Sequence, residues 1–505
     1  MARVAVLLTL ALCACAGAKY PRGPSALDAA RAPVTLVHQP GSGELVYMEI
    51  LVRAGSAHDP VGSEGLAHLT ARLLREGGAG TRSAKAVEAL LYRLGTDIEV
   101  AVDRETVAFR TTCVAEDAAE MAGLMGDMLV APRLELRTLQ RIRQEALNTL
   151  ERDITQNDEA LGEAVLDARL HAGHGYGHPV EGRAGVVPTL SEDRVRRFLH
   201  ERYVRPAIVL GLAGAATPEI AQALQTRLSE APAALYRDVT PRAMPVPRGR
   251  RLLIVEKETI ATGIHFGHPT RLRRDHPDWP AMVVATTALG EHRQSHGRLY
   301  QALREDRGLN YGDYAYVERY RQDGGSHRQQ TGTGRVDNIF YVWIRPVEPV
   351  NGPFALKSAL RIVEDWVSDG LTEEEFSAMQ GYLQSRIALW AADPGRRLGW
   401  ATEAQLMGWP DPVQTLPAAV AALSRGEVNA AIQRHIDPAN LDIVVVTADG
   451  SAFSEAIQDE APTPIRYSSS PPAEGSAQAV EDTRISEIKV GLKGVQIVPT
   501  KDLFR

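Results

Sequence analysis

Cysteine is almost missing from this chain. Only Cys13, Cys15 and Cys113 occur in 505 residues. At most one lies outside the N-terminal segment, which excludes a disulfide framework within the body. Lysine is also scarce, 7 of 56 basic residues, the rest being Arg. So general a bias makes any single Arg weak evidence of a role. No basic surplus exists either: the net charge is -7 and the pI near 6.1. That leaves no electrostatic footprint for nucleic acid. The apolar run Val4 to Leu12 is too short to span a membrane.

What is present is ordinary for a protein with substantial cores. The chain is 44% hydrophobic and 24% charged, and its length suits two to four domains. Residues 1–15 read as a targeting signal, with Arg3 as its charge and Val4 to Leu12 as its apolar run. The run ends in Leu12-Cys13-Ala14-Cys15, which looks like a bacterial lipobox with Cys15 lipidated; a cleaved secretory signal is the alternative. Acyl chains would hold the protein at a membrane without a spanning helix. Ala16 lacks the acidity that retains lipoproteins at an inner membrane, so the expected place is the bacterial outer membrane, facing the periplasm. Residues 16–32 read as a tether.

The body repeats one plan. Phe198 to Gly211 reads as helix, Pro206, then a strand; Ile432 to Val446 reads as helix, Pro438, then a strand. Each half opens on two strands and carries a long helix pair. An internal duplication at about 230 residues suits two α+β domains rather than a solenoid. We place them at 33–235 and 251–455, joined by a Pro-rich linker at 236–250. The tail, 456–505, is Ser/Pro-rich and reads as flexible, with apolar segments Ile485 to Val490 and Val495 to Val498 that can return as strands.

Two stretches carry chemistry. Gly62 to Gly78 reads as a helix, with Ser63 as N-cap, an apolar face of Leu66, Leu69, Leu73 and Leu74, and a Gly77-Gly78 stop. This region resembles the zinc helix of the pitrilysin/insulinase-type metallopeptidases, whose motif is H-x-x-E-H. Only His68 keeps its place; Ala71 stands for the general base and Arg72 for the second ligand. Alanine takes no proton, and a guanidinium, with a pKa above about 12, has no lone pair for a metal. The family's third ligand is a Glu on the following long helix. Strict spacing lands on Thr149, and Glu145 and Glu151 are the nearby carboxylates. Arg72 is expected to pair with one of them, the alternative being solvated carboxylates. His171, His174 and His178 form a tempting cluster, but Gly173, Gly175, Gly177 and Pro179 make it a loop. Gly332-Thr333-Gly334 precedes a strand and lacks a phosphate loop's helix.

The second stretch is Leu303-Arg304-Glu305-Asp306-Arg307-Gly308-Leu309-Asn310-Tyr311. It resembles the family pattern L-R-x-x-x-G-L-x-Y. The resemblance implies that Arg304 and Tyr311 bind the substrate backbone and the developing oxyanion, opposite a zinc ion. It also implies a fold: two homologous domains, each an antiparallel sheet covered by helices, forming half of a clamshell. The expected function is that of a non-zinc subunit in a heterodimeric peptidase. This chain would bind no cofactor and no metal, and a homologous partner would supply H-x-x-E-H and zinc to cleave unfolded peptides. The alternative is a non-catalytic peptide-binding or scaffold protein of the same fold. No Ser/His/Asp or Cys/His set supports a third hydrolytic mechanism.

Overall fold

The computed structural model describes residues 32–238, 243–291, 294–318, 330–459 and 461–503. Two sheets dominate. The first has strands β1 (Thr35–Pro40), β2 (Leu45–Val52), β3 (Glu99–Val102), β4 (Val107–Val114) and β5 (Ile208–Gly214), in the order β1-β5-β2-β4-β3. The second has β6 (Arg250–Glu256), β7 (Thr262–Thr270), β8 (Asp313–Tyr316), β9 (Asn338–Val347), β10 (Asp442–Thr447) and β11 (Leu492–Pro499), in the order β11-β6-β10-β7-β9-β8. Without β11 the two orders are the same pattern, so the duplication is topological. The strands after Pro206 and Pro438 enter the middle of each sheet.

The fold is α+β with two homologous domains, as expected. The sheets, however, are mixed: β1 pairs β5 and β6 pairs β10 in parallel, while the inner pairs are antiparallel. Those parallel partners are separated by most of a domain, the long connection that parallel pairing requires.

The first domain carries α1 (Leu66–Glu76), α2 (Ala84–Leu94), α3 (Ala118–Val130), α4 (Leu136–Asn148), α5 (Asp158–Leu170), α6 (Glu192–Arg202) and α7 (Pro218–Leu228). The second carries α8 (Trp279–Gly290), α9 (Gly352–Asp369), α10 (Glu373–Trp390), α11 (Pro394–Met407), α12 (Pro412–Ala422), α13 (Arg425–His435), α14 (Gly450–Gln458) and α15 (Ala477–Ser486). Among the described residues none is long and apolar enough to cross a membrane.

Each domain sends one helix to the other. Helix α5 lays Leu161, Val165, Leu166 and Leu170 on the second sheet, against Val255, Tyr341, Trp343 and Val444. Its charges also pair with that domain: Arg169 with Asp442 at 2.9 Å, Glu159 with Arg345 at 2.9 Å and Asp158 with Lys257. Helix α11 returns the exchange. Leu398 and Thr402 press on Gly211 of β5, where a Cβ would lie 2.5 Å from Thr402. Thr402 also donates to the buried Glu49 of β2.

The tail is not a loose appendage. Val495 to Val498 lies in β11, as expected, but Ile485 and Ser486 end helix α15. That helix is tied to the body: the buried Lys357 donates to Ser486 O at 2.8 Å.

Candidate functional site

Helix α1 starts later than its sequence suggests. Its N-cap is Gly65, at φ 100, with no side-chain cap of its own. Asp59 does the capping, accepting from Gly65 N and Ala67 N at 2.7 Å each. Burial pushes that carboxyl up to about 8, against those two hydrogen bonds. Ser63, the expected cap, instead takes a hydrogen bond from Arg194 at 3.0 Å. His68 is half-buried on this helix, Ala71 is fully buried in the core, and Arg72 points across to α4.

Arg72 belongs to a closed ring of four charges. Its Nη2 donates to Glu145 Oε2 at 2.7 Å, and its Nε to Glu76 Oε1. Arg141 donates to the remaining oxygens, to Glu145 Oε1 at 2.7 Å and to Glu76 Oε2. Each carboxylate thus gives one oxygen to each guanidinium. Burial opposes charge on Glu76 and Glu145, but the hydrogen bonds outweigh it and hold both carboxyls below their ordinary range. Of the two candidate partners the structure selects Glu145. Glu151 falls in a π-helical turn, Thr149–Thr155, and is exposed. Sequence reasoning missed Glu76 and Arg141, although each stands four residues from its neighbour in the ring, at helical spacing. Of the zinc-motif positions only His68 offers a lone pair, and Glu145 is held by two guanidinium groups. This donor set does not fit a zinc ion.

Arg304 and Tyr311 lie together in the second domain. Arg304 falls in a π-helical turn, Gln301–Glu305; its guanidinium sits 4.7 Å from the Tyr300 ring and 3.6 Å from Glu305 Oε1. Gly308 adopts φ 62 and reverses the chain. Tyr311 then stands 79% exposed, two residues before edge strand β8. Both side chains line an open cleft of about 600 Å³ with Ile260, Val347 and Glu348. Its lining includes none of His68, Ala71 and Arg72.

The histidine loop is packed rather than poised. His171, His174 and His178 are all buried. His174 contacts Asp337 at 3.1 Å, and His178 bonds Pro179 O at 2.8 Å. Burial pulls His178 down to about 4. Among the described residues, ligand atoms converge as a metal would need in two other places: His58, Glu105 and Asp238, and His276, Asp278 and His435. In the first, Arg53 holds Asp238 at 2.9 Å; in the second, Arg434 holds Asp278 through both oxygens. Gly332 opens no helix and donates to Glu403 instead. Burial raises the Cys113 thiol to about 11, so it is inert. Cys15, the signal and the tether up to residue 31 lie outside the described residues.

The chain is thus a duplicated mixed-sheet α+β protein, with a four-charge ring on one domain and a half-exposed Arg304 near an exposed Tyr311 on the other. Residues 34–182 match the family described as Insulinase (Peptidase family M16), and 189–383 match the Peptidase M16 inactive domain. The chain belongs to the M16 (insulinase/pitrilysin) peptidase family. It is 25% identical to an uncharacterized zinc protease of Streptomyces coelicolor, over 75% of this chain and 80% of the relative. It is 21% identical to cytochrome b-c1 complex subunit 1 of Caenorhabditis elegans, over 79% and 82%. A crystal structure of a peptidase M16 inactive domain from Pseudomonas fluorescens superposes with TM-score 0.72 at 19% identity, over 81% of this chain and 94% of that one.

Proposed function

We propose that the chain is the non-zinc subunit of a two-chain peptidase, supplying Arg304 and Tyr311 to a partner that carries H-x-x-E-H and zinc. One contrast carries the reading. Arg72, in the second ligand's place, and the carboxylate of Glu145 are locked into a ring with Arg141 and Glu76, while Arg304 and Tyr311 face an open cleft. This chain binds no zinc of its own. Water activation is the partner's task. Here Arg304 presents charged N–H donors to a peptide carbonyl, and the Tyr311 hydroxyl donates to the oxygen that gains charge as the carbonyl is attacked. Substrates are unfolded peptides, held in extended form against a sheet edge. Strand β3 is the outer strand of the first sheet, and Arg75 of α1 reaches Ile98 O beside it at 3.2 Å. The protein sits at the bacterial outer membrane through a lipid on Cys15.

The test uses the chain without residues 1–15. Alone it holds no stoichiometric zinc and cleaves nothing. Mixed with a zinc-motif homologue it supports cleavage, which Arg304→Ala or Tyr311→Phe lowers by roughly 10²–10³-fold. Zinc and cleavage in the isolated chain would refute the reading. The match to a b-c1 complex subunit supports a second one, a scaffold. In that case the mixture is indifferent to both substitutions.

A further inference from the structure

We infer that the C-terminal segment positions the loop carrying Arg304 and Tyr311, with Arg307 and Asp482 as positioning residues. The catalytic consequence rests on the subunit reading above; the structural one does not.

The loop's own backbone closes it only locally: Asp306 N donates to Gln301 O at 2.9 Å, Gly308 N to Arg304 O at 2.8 Å and Leu309 N to Leu303 O at 3.0 Å. Arg304 sits in a π-helical turn, a form usually confined to single turns, and Gly308 follows at φ 62. Ties to the rest of the molecule come from β9, where Arg345 O accepts from Asn310 Nδ2 at 3.1 Å, and from the tail. Arg307 lies between Arg304 and Tyr311, yet its side chain turns inward and is only 7% exposed. Its Nη1 donates to Ala302 O at 2.7 Å, closing the turn that contains Arg304. Its Nε donates to Asp482 Oδ1 at 2.8 Å. Asp482 stands on α15, as buried as Arg307, and its other oxygen accepts from the Tyr467 hydroxyl. One turn earlier Gln478 donates to Asp306 O. Helix α15 is itself fixed, since the Lys357 ammonium donates to Ser486 O at 2.8 Å and to Ala461 O at 3.3 Å. A chain thus runs from α9 through the tail helix to the turn between the two proposed substrate-binding groups. A buried ion pair of this kind is costly to break from one side, because the remaining charge keeps no partner. Two groups that must meet one reacting carbonyl need a fixed separation, and small misplacements cost about 10²-fold in rate.

The experiment compares the full chain with Arg304→Ala, Asp482→Asn, Tyr467→Phe and the double exchange Arg307→Asp with Asp482→Arg. Amide hydrogen exchange across 301–312 is measured on each chain alone. Cleavage of an unfolded casein peptide is measured in mixture with the zinc-motif homologue. Asp482→Asn is expected to speed exchange in that segment about 10-fold, leaving the first domain unchanged. It lowers kcat about 10- to 100-fold with little change in KM. Tyr467→Phe does the same to a smaller degree and serves if Asp482→Asn does not fold. The double exchange restores part of both. Unaltered exchange in a folded Asp482→Asn or Tyr467→Phe chain would overturn the inference. Faster exchange with unaltered kcat, where Arg304→Ala abolishes cleavage, would overturn the positioning role and leave the subunit reading standing. If Arg304→Ala has no effect, the subunit reading fails, and the exchange rates alone decide whether the tail braces the loop.

Discussion

Arg72 and Glu145 meet at 2.7 Å across the gap between α1 and α4. An ion pair this exposed contributes at most about 1 kcal/mol, so the ring's stabilising effect is modest. Its larger effect is chemical: it neutralises the carboxylate that a metal would otherwise attract. Arg72→His tests this directly. The change places two imidazoles four residues apart on one helix, with Glu145 opposite, a tetrahedral ligand set lacking only a water. The variant is expected to take up one zinc per chain, read by elemental analysis. Its stability should rise by about 2.7 kcal/mol at a hundred times the dissociation constant. It should stay inactive, because Ala71 still offers no base. A variant that binds no zinc would show that His68 and Glu145 do not converge. At this scale the sequence was legible as far as residue type. The types of Ala71 and Arg72 showed without any coordinates that a base and a ligand of the motif are missing, and Glu145 was one of two candidate partners. The ring's closure was not legible, because it depends on the facing of two helices.

Helix α5 shows where reading by element stops. Asn157 caps it, and Leu161, Val165, Leu166 and Leu170 give it a helical apolar stripe. The sequence alone names no element between the long helix after the zinc-motif region and the histidine loop, so this one was missed. Even a correct assignment would not have placed it, since an apolar stripe says that a helix packs, not on which sheet. The contact is close: a Cβ on Gly162 would lie 2.3 Å from the buried His265 ring. That ring has little room to move. Its Nδ1 bonds the Tyr341 hydroxyl at 2.8 Å, and it stacks on Trp343. Gly162→Leu should therefore destabilise the protein by about 1–3 kcal/mol despite its better helix propensity, as measured by urea unfolding. Neutral stability would mean the helix can slide. His265 also makes the seam acid-sensitive. Burial lowers its pKa from 6.5 to about 3, so the folded chain keeps it neutral where an unfolded chain protonates it. Its contribution is intact above pH 6.5 and is lost toward pH 3, at up to about 1.4 kcal/mol per pH unit. Stability curves of the parent and His265→Phe should accordingly run parallel above pH 6.5 and converge or cross below it. Parallel curves at pH 5 would show that the ring is already solvated.

At the scale of the whole molecule, the duplication was visible in Pro206 and Pro438 and in the strands that follow them. The exchange of helices was not, and it changes what a domain means here. Residues 33–235 hold the first sheet but not α11, which covers Gly211 and Glu49. The second half holds its sheet but not α5, which covers Val255, Tyr341, Trp343 and Val444. Cut at the linker, each half would bare one sheet face lined by buried apolar or charged groups. The second would also retain Asp442 without Arg169. Burying such faces dominates folding stability, so neither half should reach a fixed native packing alone. All six Trp belong to the second half, which makes fluorescence a local probe, whereas far-UV circular dichroism reports the whole chain. In urea the intact protein should unfold with the two signals superimposed, as one cooperative unit. Residues 251–503 expressed alone should keep helical far-UV signal, lose near-UV signal and bind a hydrophobic dye. Co-expression with 33–235 should restore both near-UV signal and cooperativity, because each fragment returns the helix the other lacks. Two separate transitions in the intact chain, or a sharp melt of either half alone, would mean the exchanged helices are decoration on self-sufficient domains.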